Sequence, residues 1–194
     1  MSLTPSTMLP LQTKAPTFTL PDTDGKVVND SDFIGARALL VMFICNHCPY
    51  VKHIRAGLAA MAHDFARHGV AVVAIMSNNA EKYPDDRPEL MAMEKKSAGW
   101  EFPYLYDESQ KVALAYHAAC TPDFFLFDGD QRLIYRGQMD DSRPGNNKPV
   151  TGADLRGAVA KLFAGEAIDP AQKPSIGCNI KWKPGNEPDW FNRR

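Results

Sequence analysis

The residues best suited to chemistry in this chain are two cysteines separated by two residues, in the motif Cys45-Asn46-His47-Cys48. The motif follows the apolar run 38–44, which is typical of a strand buried on both faces. It precedes the segment 51–65, whose apolar residues have helical spacing. Cys45 is therefore predicted at or near a helix N-terminus, where unpaired N–H groups and the helix dipole stabilise a thiolate.

The spacing also predicts a division of roles between the two thiols. Cys48 should lie about one helical turn beyond Cys45, within reach of it, so that the pair can cycle between dithiol and disulfide. We expect Cys45 to be the exposed attacking thiolate and the more buried Cys48 to resolve the mixed disulfide. If His47 faces the Cys45 sulfur, its imidazole lowers the pKa of that thiol and stabilises the reduced form.

A zinc site and haem attachment are the alternatives to a redox pair for these cysteines. Cys45, Cys48, Cys120 and Cys178 could supply a four-thiolate zinc site. A second Cys-x-x-Cys is missing, so the redox pair is favoured over zinc. Haem attachment requires a histidine directly after the second cysteine, and Pro49 stands there.

Size and charge restrict the class of protein. The chain has 194 residues, of which 44% are hydrophobic, and a net charge of −1. These values fit one domain with a sizeable core and give no general attraction to nucleic acid or to an anionic membrane. The first residues do not resemble a signal peptide, and no apolar run approaches the ~20 residues of a membrane span. We expect a cytoplasmic protein without a cofactor or a bound metal, in a compartment where thiols stay reduced.

The elements that must position the motif alternate along the chain between strands and helices. A second buried strand is predicted over 70–76, a helix from Pro88 to about Gly99, and a closing strand hairpin over 124–135. This order indicates an α/β sandwich with a mixed sheet. We divide the chain into a flexible N-terminal arm (1–14), one domain (15–165) and an irregular C-terminal tail packed on it (166–194).

Several segments resemble thioredoxin-fold proteins of the AhpC/TSA–redoxin group, close to the TlpA-like thiol–disulfide oxidoreductases. The resemblance implies a thioredoxin-like three-layer sandwich with a mixed central sheet, an N-terminal β-hairpin extension and an irregular C-terminal tail. It is carried by Ala15–Leu20 with Asp24-Gly25-Lys26, by the motif in Phe43–Pro49, by Phe102–Asp107, by Thr121–Asp128 and by Tyr135-Arg136-Gly137.

The resemblance also assigns residues outside the motif. It implies that Pro122 is cis and that Thr121 offers backbone hydrogen bonds to a bound peptide beside the disulfide. Cys120 should then lie near the redox pair, either as an auxiliary thiol or as a small buried apolar residue. Cys178 could be brought over the site by the tail as a resolving thiol, or it could anchor a buried tail.

The function predicted from these features is a thiol–disulfide oxidoreductase with a potential, raised by His47, above the ~ −270 mV of thioredoxin. A peroxiredoxin-like thiol peroxidase is the alternative enzyme, although Met42 stands where such enzymes carry Thr or Ser. A non-enzymatic zinc-binding or redox-sensing domain is the third hypothesis. The expected partners are a disulfide-containing protein or a small thiol or peroxide, with a thioredoxin- or glutathione-type electron donor.

Overall fold

A five-stranded mixed sheet forms the centre of the molecule in the computed structural model, which describes residues 3–192. The strands of this sheet are β4 (Ala38–Phe43), β5 (Val70–Met76), β6 (Tyr104–Tyr106), β8 (Asp123–Asp128) and β9 (Leu133–Gly137). Their order across the sheet is β6-β5-β4-β8-β9. The short strands are β1 (Leu3–Pro5), β2 (Thr19–Pro21), β3 (Val27–Asn29), β7 (Cys120–Thr121) and β10 (Ile176–Asn179). The helices are α1 (Pro49–Arg67), α2 (Pro88–Ala98), α3 (Lys111–Ala115) and α4 (Ala153–Ala164).

Strand β4 lies in the middle of the sheet, parallel to β5 and antiparallel to β8. All six of its residues are buried. Successive side chains of a strand point to opposite faces, so β4 contributes to two cores. Leu40 and Met42 pack in one core, while Leu39, Val41 and Phe43 pack in the other. This explains why the segment is apolar at every position rather than at alternate ones.

The helices cover the two faces of the sheet unequally. Helix α1 buries the predicted stripe Val51, Ile54, Leu58, Met61 and Phe65. Buried residues of α2 and α4 join the same core, whereas α3 packs with the N-terminal segments on the opposite face. The predicted fold class is therefore confirmed, as a three-layer thioredoxin-like sandwich with a mixed sheet. The N-terminal extension is the hairpin of β2 and β3.

The structure differs from the sequence-based expectations at both ends of the chain, although the tail is packed on the domain. The arm predicted to be flexible contains β1, which pairs with β10, and the buried Leu9. Its Ser6 hydroxyl donates to the buried Asp123 at 2.5 Å. The tail predicted to be irregular contributes β10, which lies between β1 and β7 in a small sheet. Both segments are ordered by contacts with distant residues, which local sequence does not show.

None of the described helices combines the length and apolar character that a membrane span requires.

Candidate functional site

The two motif cysteines lie together in the loop between β4 and α1, as predicted, and both are free thiols in this structure. Helix α1 begins at Pro49, and Cys48 rather than Cys45 is its N-cap residue. Cys45 was expected to be the exposed thiol, and this is wrong, because both residues are fully buried. The two thiols lie close enough for each to shift the pKa of the other.

The ionisation of the two thiols differs in direction. Burial raises the pKa of Cys45 well above its usual value, and the hydrogen bond with Cys48 and the charge of Asp86 add to this rise. Hydrogen bonds from Cys178 and Cys45 lower the pKa of Cys48, whose position at the start of α1 also favours a thiolate. The sequence predicted the stabilised thiolate at Cys45, whereas the surroundings favour the charge on Cys48.

His47 faces a buried carboxylate in the loop after β5. Its Nδ1 lies 2.6 Å from Asp86 Oδ2, and its ring stacks on Tyr83 with centroids 5.3 Å apart. Asp86 has no exposed surface, and it also accepts hydrogen bonds from the Asn46 backbone N–H at 2.9 Å and from Asn78 Nδ2 at 2.8 Å. These donors compensate the buried charge and fix the conformation of the motif.

Thr121 contacts both sulfurs from the far side of the site, and the peptide bond before Pro122 is cis as predicted. The Thr121 hydroxyl lies 3.3 Å from Cys45 Sγ. As a neutral thiol, Cys48 donates to the Thr121 carbonyl oxygen at 3.1 Å. The backbone edge that we expected to receive a peptide is already paired with β10, where Thr121 lies opposite Cys178. Any peptide bound in that register has to displace β10.

The remaining two cysteines occupy different surroundings. Cys178 is buried in the same cluster as the motif cysteines and lies opposite Thr121 in the pairing of β10 with β7, so the structure brings it to the redox motif. Its interaction with Cys48 and its burial raise the pKa of the Cys178 thiol. Cys120 is also buried, and its sulfur donates to the Pro122 carbonyl oxygen at 3.5 Å.

Some side chains at the motif could in principle bind a metal ion. Within residues 3–192, the potential ligands brought together are Cys45, His47 and Asp86, with ligand atoms within 4.8 Å of one another. The hydrogen bond between His47 and Asp86 already accounts for the closeness of two of them. The four-thiolate zinc site considered from sequence is not assembled in this part of the chain.

Sequence reasoning missed the residues that the other loops bring to the site. No role is predicted from sequence for Tyr83 and Asp86, which follow β5, or for Lys181 in the C-terminal segment. His47, Tyr83, Asn179 and Lys181 line an open cavity of about 310 Å³ beside the motif. A signal for Asp86 was available, because β4 and β5 are parallel and the loops after parallel strands meet at one edge of the sheet. For Lys181 no local signal exists.

A second buried carboxylate, Asp123, begins β8 directly after Pro122. Burial raises its pKa to about 7, while hydrogen bonds from the Ser6 hydroxyl and from backbone N–H groups oppose this rise. Its hydrogen-bond partners are the Ser6 hydroxyl and backbone N–H groups, among them that of Ala119, and none of them is a thiol. It therefore belongs to the anchoring of the N-terminal segment.

Comparison with known proteins agrees with this geometry. The sequence pattern of the AhpC/TSA family matches residues 11–136, which is more than half of the chain. The chain belongs to the AhpC/TSA family. This confirms the resemblance to the redoxin group and identifies the protein, in general terms, as a redox enzyme.

Individual relatives of this AhpC/TSA protein fall into three kinds. A Mycobacterium tuberculosis protein named as a peroxiredoxin is 31% identical over 116 residues, covering 60% of this chain and 69% of that protein. A conserved protein from Geobacillus kaustophilus has a crystal structure with a TM-score of 0.93 and 52% identity, covering 95% of this chain and 98% of the other. The thioredoxin domain of a thiol–disulfide oxidoreductase from Bacteroides vulgatus shares the fold, with a TM-score of 0.59, 18% identity, and coverage of 77% and 99%.

Proposed function

We propose that this protein is a thiol–disulfide oxidoreductase in which Cys45 and Cys48 cycle between dithiol and disulfide. The observation that carries the proposal is that Thr121 contacts both sulfurs, with its hydroxyl 3.3 Å from Cys45 Sγ and its carbonyl oxygen 3.1 Å from Cys48 Sγ. Two sulfurs that contact the same residue lie near each other, as the formation of an S–S bond of ~2.05 Å requires.

The proposed reaction begins at Cys45, which lies beside His47, a residue that lines the open cavity. Cys45 gives its proton to the Cys48 thiolate across their hydrogen bond and attacks one sulfur of a substrate disulfide. A mixed disulfide forms and the first substrate thiolate leaves. The Cys48 proton passes to the first substrate thiolate and Cys48 attacks Cys45 Sγ, so that the intramolecular disulfide forms and the second substrate thiolate leaves and takes a proton from solvent. The substrate disulfide is reduced to two thiols and the enzyme dithiol is oxidised.

A thiol peroxidase is the second candidate, and the Thr121 hydroxyl favours it. Sequence reasoning found no Thr or Ser three residues before Cys45, but Thr121 places a hydroxyl 3.3 Å from the same sulfur. The Cys45 thiolate would attack a peroxide oxygen, forming a sulfenic acid and releasing an alcohol or water. The raised pKa of Cys45 opposes this reaction, since the thiolate is the reactive form.

The test is a redox titration of the chain in defined dithiothreitol buffers, with insulin reduction and peroxide turnover measured in parallel. An oxidoreductase shows one Cys45–Cys48 disulfide and insulin reduction that is lost in both Cys45→Ser and Cys48→Ser. Stabilisation of the Cys48 thiolate, rather than His47, is the reason to expect a potential above the ~ −270 mV of thioredoxin. Fast peroxide turnover retained by Cys48→Ser would favour the peroxidase. The absence of a Cys45–Cys48 disulfide at every ratio of oxidised to reduced dithiothreitol would contradict the proposal.

The proposed substrates are a disulfide-containing protein or a small disulfide, with reduction by a thioredoxin- or glutathione-type donor. The Lys181 ammonium lines the cavity beside the motif and supports substrates that carry an anionic group. Because β10 occupies the β7 edge, small disulfides are expected to react faster than extended protein segments.

A further inference from the structure

Cys178 lies in a position that the two-cysteine cycle does not use. Cys45, Cys48 and Cys178 belong to one buried cluster, and the interactions of Cys48 with Cys178 and with Cys45 are the two largest causes of the shift in its pKa. All three residues are buried. The central position of Cys48 means that either neighbour can form a disulfide with it.

The backbone holds Cys178 at this position by close strand contact. In the antiparallel pair of β10 and β7, Cys178 lies opposite Thr121, whose carbonyl oxygen is 3.1 Å from Cys48 Sγ. On its other edge β10 pairs with β1, where Cys178 lies opposite Leu3. The neighbouring residue must be glycine, because a Cβ on Gly177 would lie 2.0 Å from the Thr121 carbonyl oxygen. Strand β10 also packs against α1, which carries Cys48 at its N-cap.

We propose that Cys178 is a third redox-active thiol, which exchanges into the active-site disulfide to give a Cys48–Cys178 bond. The proposal rests on the proposed Cys45–Cys48 chemistry. The Cys178 thiolate attacks Cys48 Sγ, the Cys48–Cys178 bond forms, the Cys45–Cys48 bond breaks, and Cys45 leaves as a thiolate. One disulfide exists before and after the step, and the proton lost by Cys178 is taken up by Cys45, so no external oxidant is required.

The charges around Cys178 change in favour of this step when the first disulfide forms. The main cause of the raised pKa of Cys178 is its hydrogen bond to Cys48. Once Cys48 is bonded to Cys45 it carries no negative charge, and this cause disappears. The nearby Lys181 ammonium lowers the pKa of Cys178 further. The exchange moves the disulfide to Cys48 and Cys178 and returns Cys45 as a free thiol next to His47, which lines the cavity.

The experiment is a disulfide map of the full chain equilibrated in oxidised and reduced dithiothreitol, acid-quenched, alkylated and digested with trypsin. Cleavage leaves Cys45 and Cys48 together in peptide 38–52 and Cys178 in peptide 162–181. The expected result is a cross-link of these two peptides with Cys45 alkylated, beside the internally bonded peptide 38–52. In Cys45→Ser the cross-link becomes the main oxidised form, and in Cys178→Ser it is lost while the Cys45–Cys48 disulfide remains.

Controls separate this inference from the proposed function. Cys120→Ser removes another buried thiol, whose recorded acceptor is the Pro122 carbonyl, and should leave the cross-link unchanged. If Cys178→Ser fails to fold, Cys178→Ala replaces it. The disulfide map of the wild-type chain does not depend on either variant and tests the proposal by itself. Wild type with only the Cys45–Cys48 disulfide, together with Cys45→Ser that stays fully alkylated or links only between chains, would overturn the role of Cys178. Absence of every disulfide in wild type would instead overturn the proposed function.

Discussion

At the scale of single residues, the site is defined by how buried charges are compensated. Asp86 brings a carboxylate to a motif whose sequence contains none, and four donor groups surround it, from the Asn46 and His47 backbones, the His47 ring and Asn78. Its charge raises the pKa of Cys45, because two negative charges in a region of low dielectric repel. His47 is thereby bound to a carboxylate, which limits its effect on the thiol.

The first prediction concerns Asp86. Asp86→Asn removes the negative charge near Cys45, so the pKa of Cys45 should fall and its alkylation by iodoacetamide at neutral pH should become several-fold faster. Peptide mapping of the rate at each cysteine measures this. Asp85→Asn is the matched control, since the neighbouring Asp85 side chain is exposed. Equal rates in both variants would show that the Asp86 charge does not reach the sulfur.

The second prediction concerns the pH dependence of stability through Asp123. Its pKa is about 7 in the folded protein against a usual 3.8, so the folded state holds a proton that the unfolded state has lost between these values. Stability is therefore lost as pH rises from about 4 to about 7, by up to roughly 4 kcal/mol at ~1.4 kcal/mol per pH unit. Urea unfolding across this range, under reducing conditions, should show the fall in wild type.

In Asp123→Asn this part of the slope should disappear, because the amide does not titrate. The variant loses stability at every pH, since an amide nitrogen facing the Ala119 N–H places two donors together. The decisive quantity is thus the difference in slope between the two proteins. Parallel curves for wild type and variant would contradict the raised pKa.

At the scale of elements, two strands and a helix terminus create the site. Strand β4 delivers Cys45 at its end, α1 places Cys48 at its N-cap, and β7 presents Thr121 to both sulfurs. Strand β10 then closes the edge of β7. The third prediction tests this closure.

Gly177→Ala places a methyl group 2.0 Å from the Thr121 carbonyl oxygen. That oxygen belongs to the backbone and cannot rotate away, so β10 must move away from β7. Overpacking of this kind costs about 1–3 kcal/mol. We expect faster hydrogen exchange in β10 and faster alkylation of Cys48 and Cys178. Gly157→Ala in α4 is the control, because a Cβ there meets nothing within 4 Å, and it should leave these rates unchanged while stabilising the helix by roughly 0.5–1 kcal/mol. Unchanged exchange in Gly177→Ala would be inconsistent with the close strand contact.

At the scale of the whole molecule, both ends of the chain complete the cores and the small sheet. Ile180 and Trp182, just after β10, are buried in the core that also holds Phe18 and Phe125. The segment after α4 is therefore part of the folded unit. The expected cytoplasmic location stays a prediction.

The fourth prediction measures this contribution. Ile180→Ala removes a side chain that is 1% exposed and should lower the free energy of unfolding by about 2–5 kcal/mol. Ile34→Ala is the matched control: Ile34 is 73% exposed, and its loss should cost no more than ~0.5 kcal/mol. Chemical denaturation under reducing conditions gives both values. A small effect at Ile180 would mean that the C-terminal segment is only loosely attached.

The sequence by itself determined the elements whose signals are local. The uninterrupted apolar run indicated the central strand, the helical spacing from Val51 to Phe65 indicated the first helix, and their junction placed Cys45 beside Cys48. Hydrophobic period and turn residues act over a few positions, so they can be recognised without knowledge of the rest of the chain.

Only the tertiary structure decided what covers the motif and where its charge lies. Cys45 is buried by groups such as Thr121, 76 positions away, and its pKa is influenced by Asp86, 41 positions away. Cys178 reaches Cys48 through the pairing of β10 with β7. Solvation and charge at a buried sulfur depend on all atoms within a few ångströms, and those atoms come from segments that only the packing of the chain brings together.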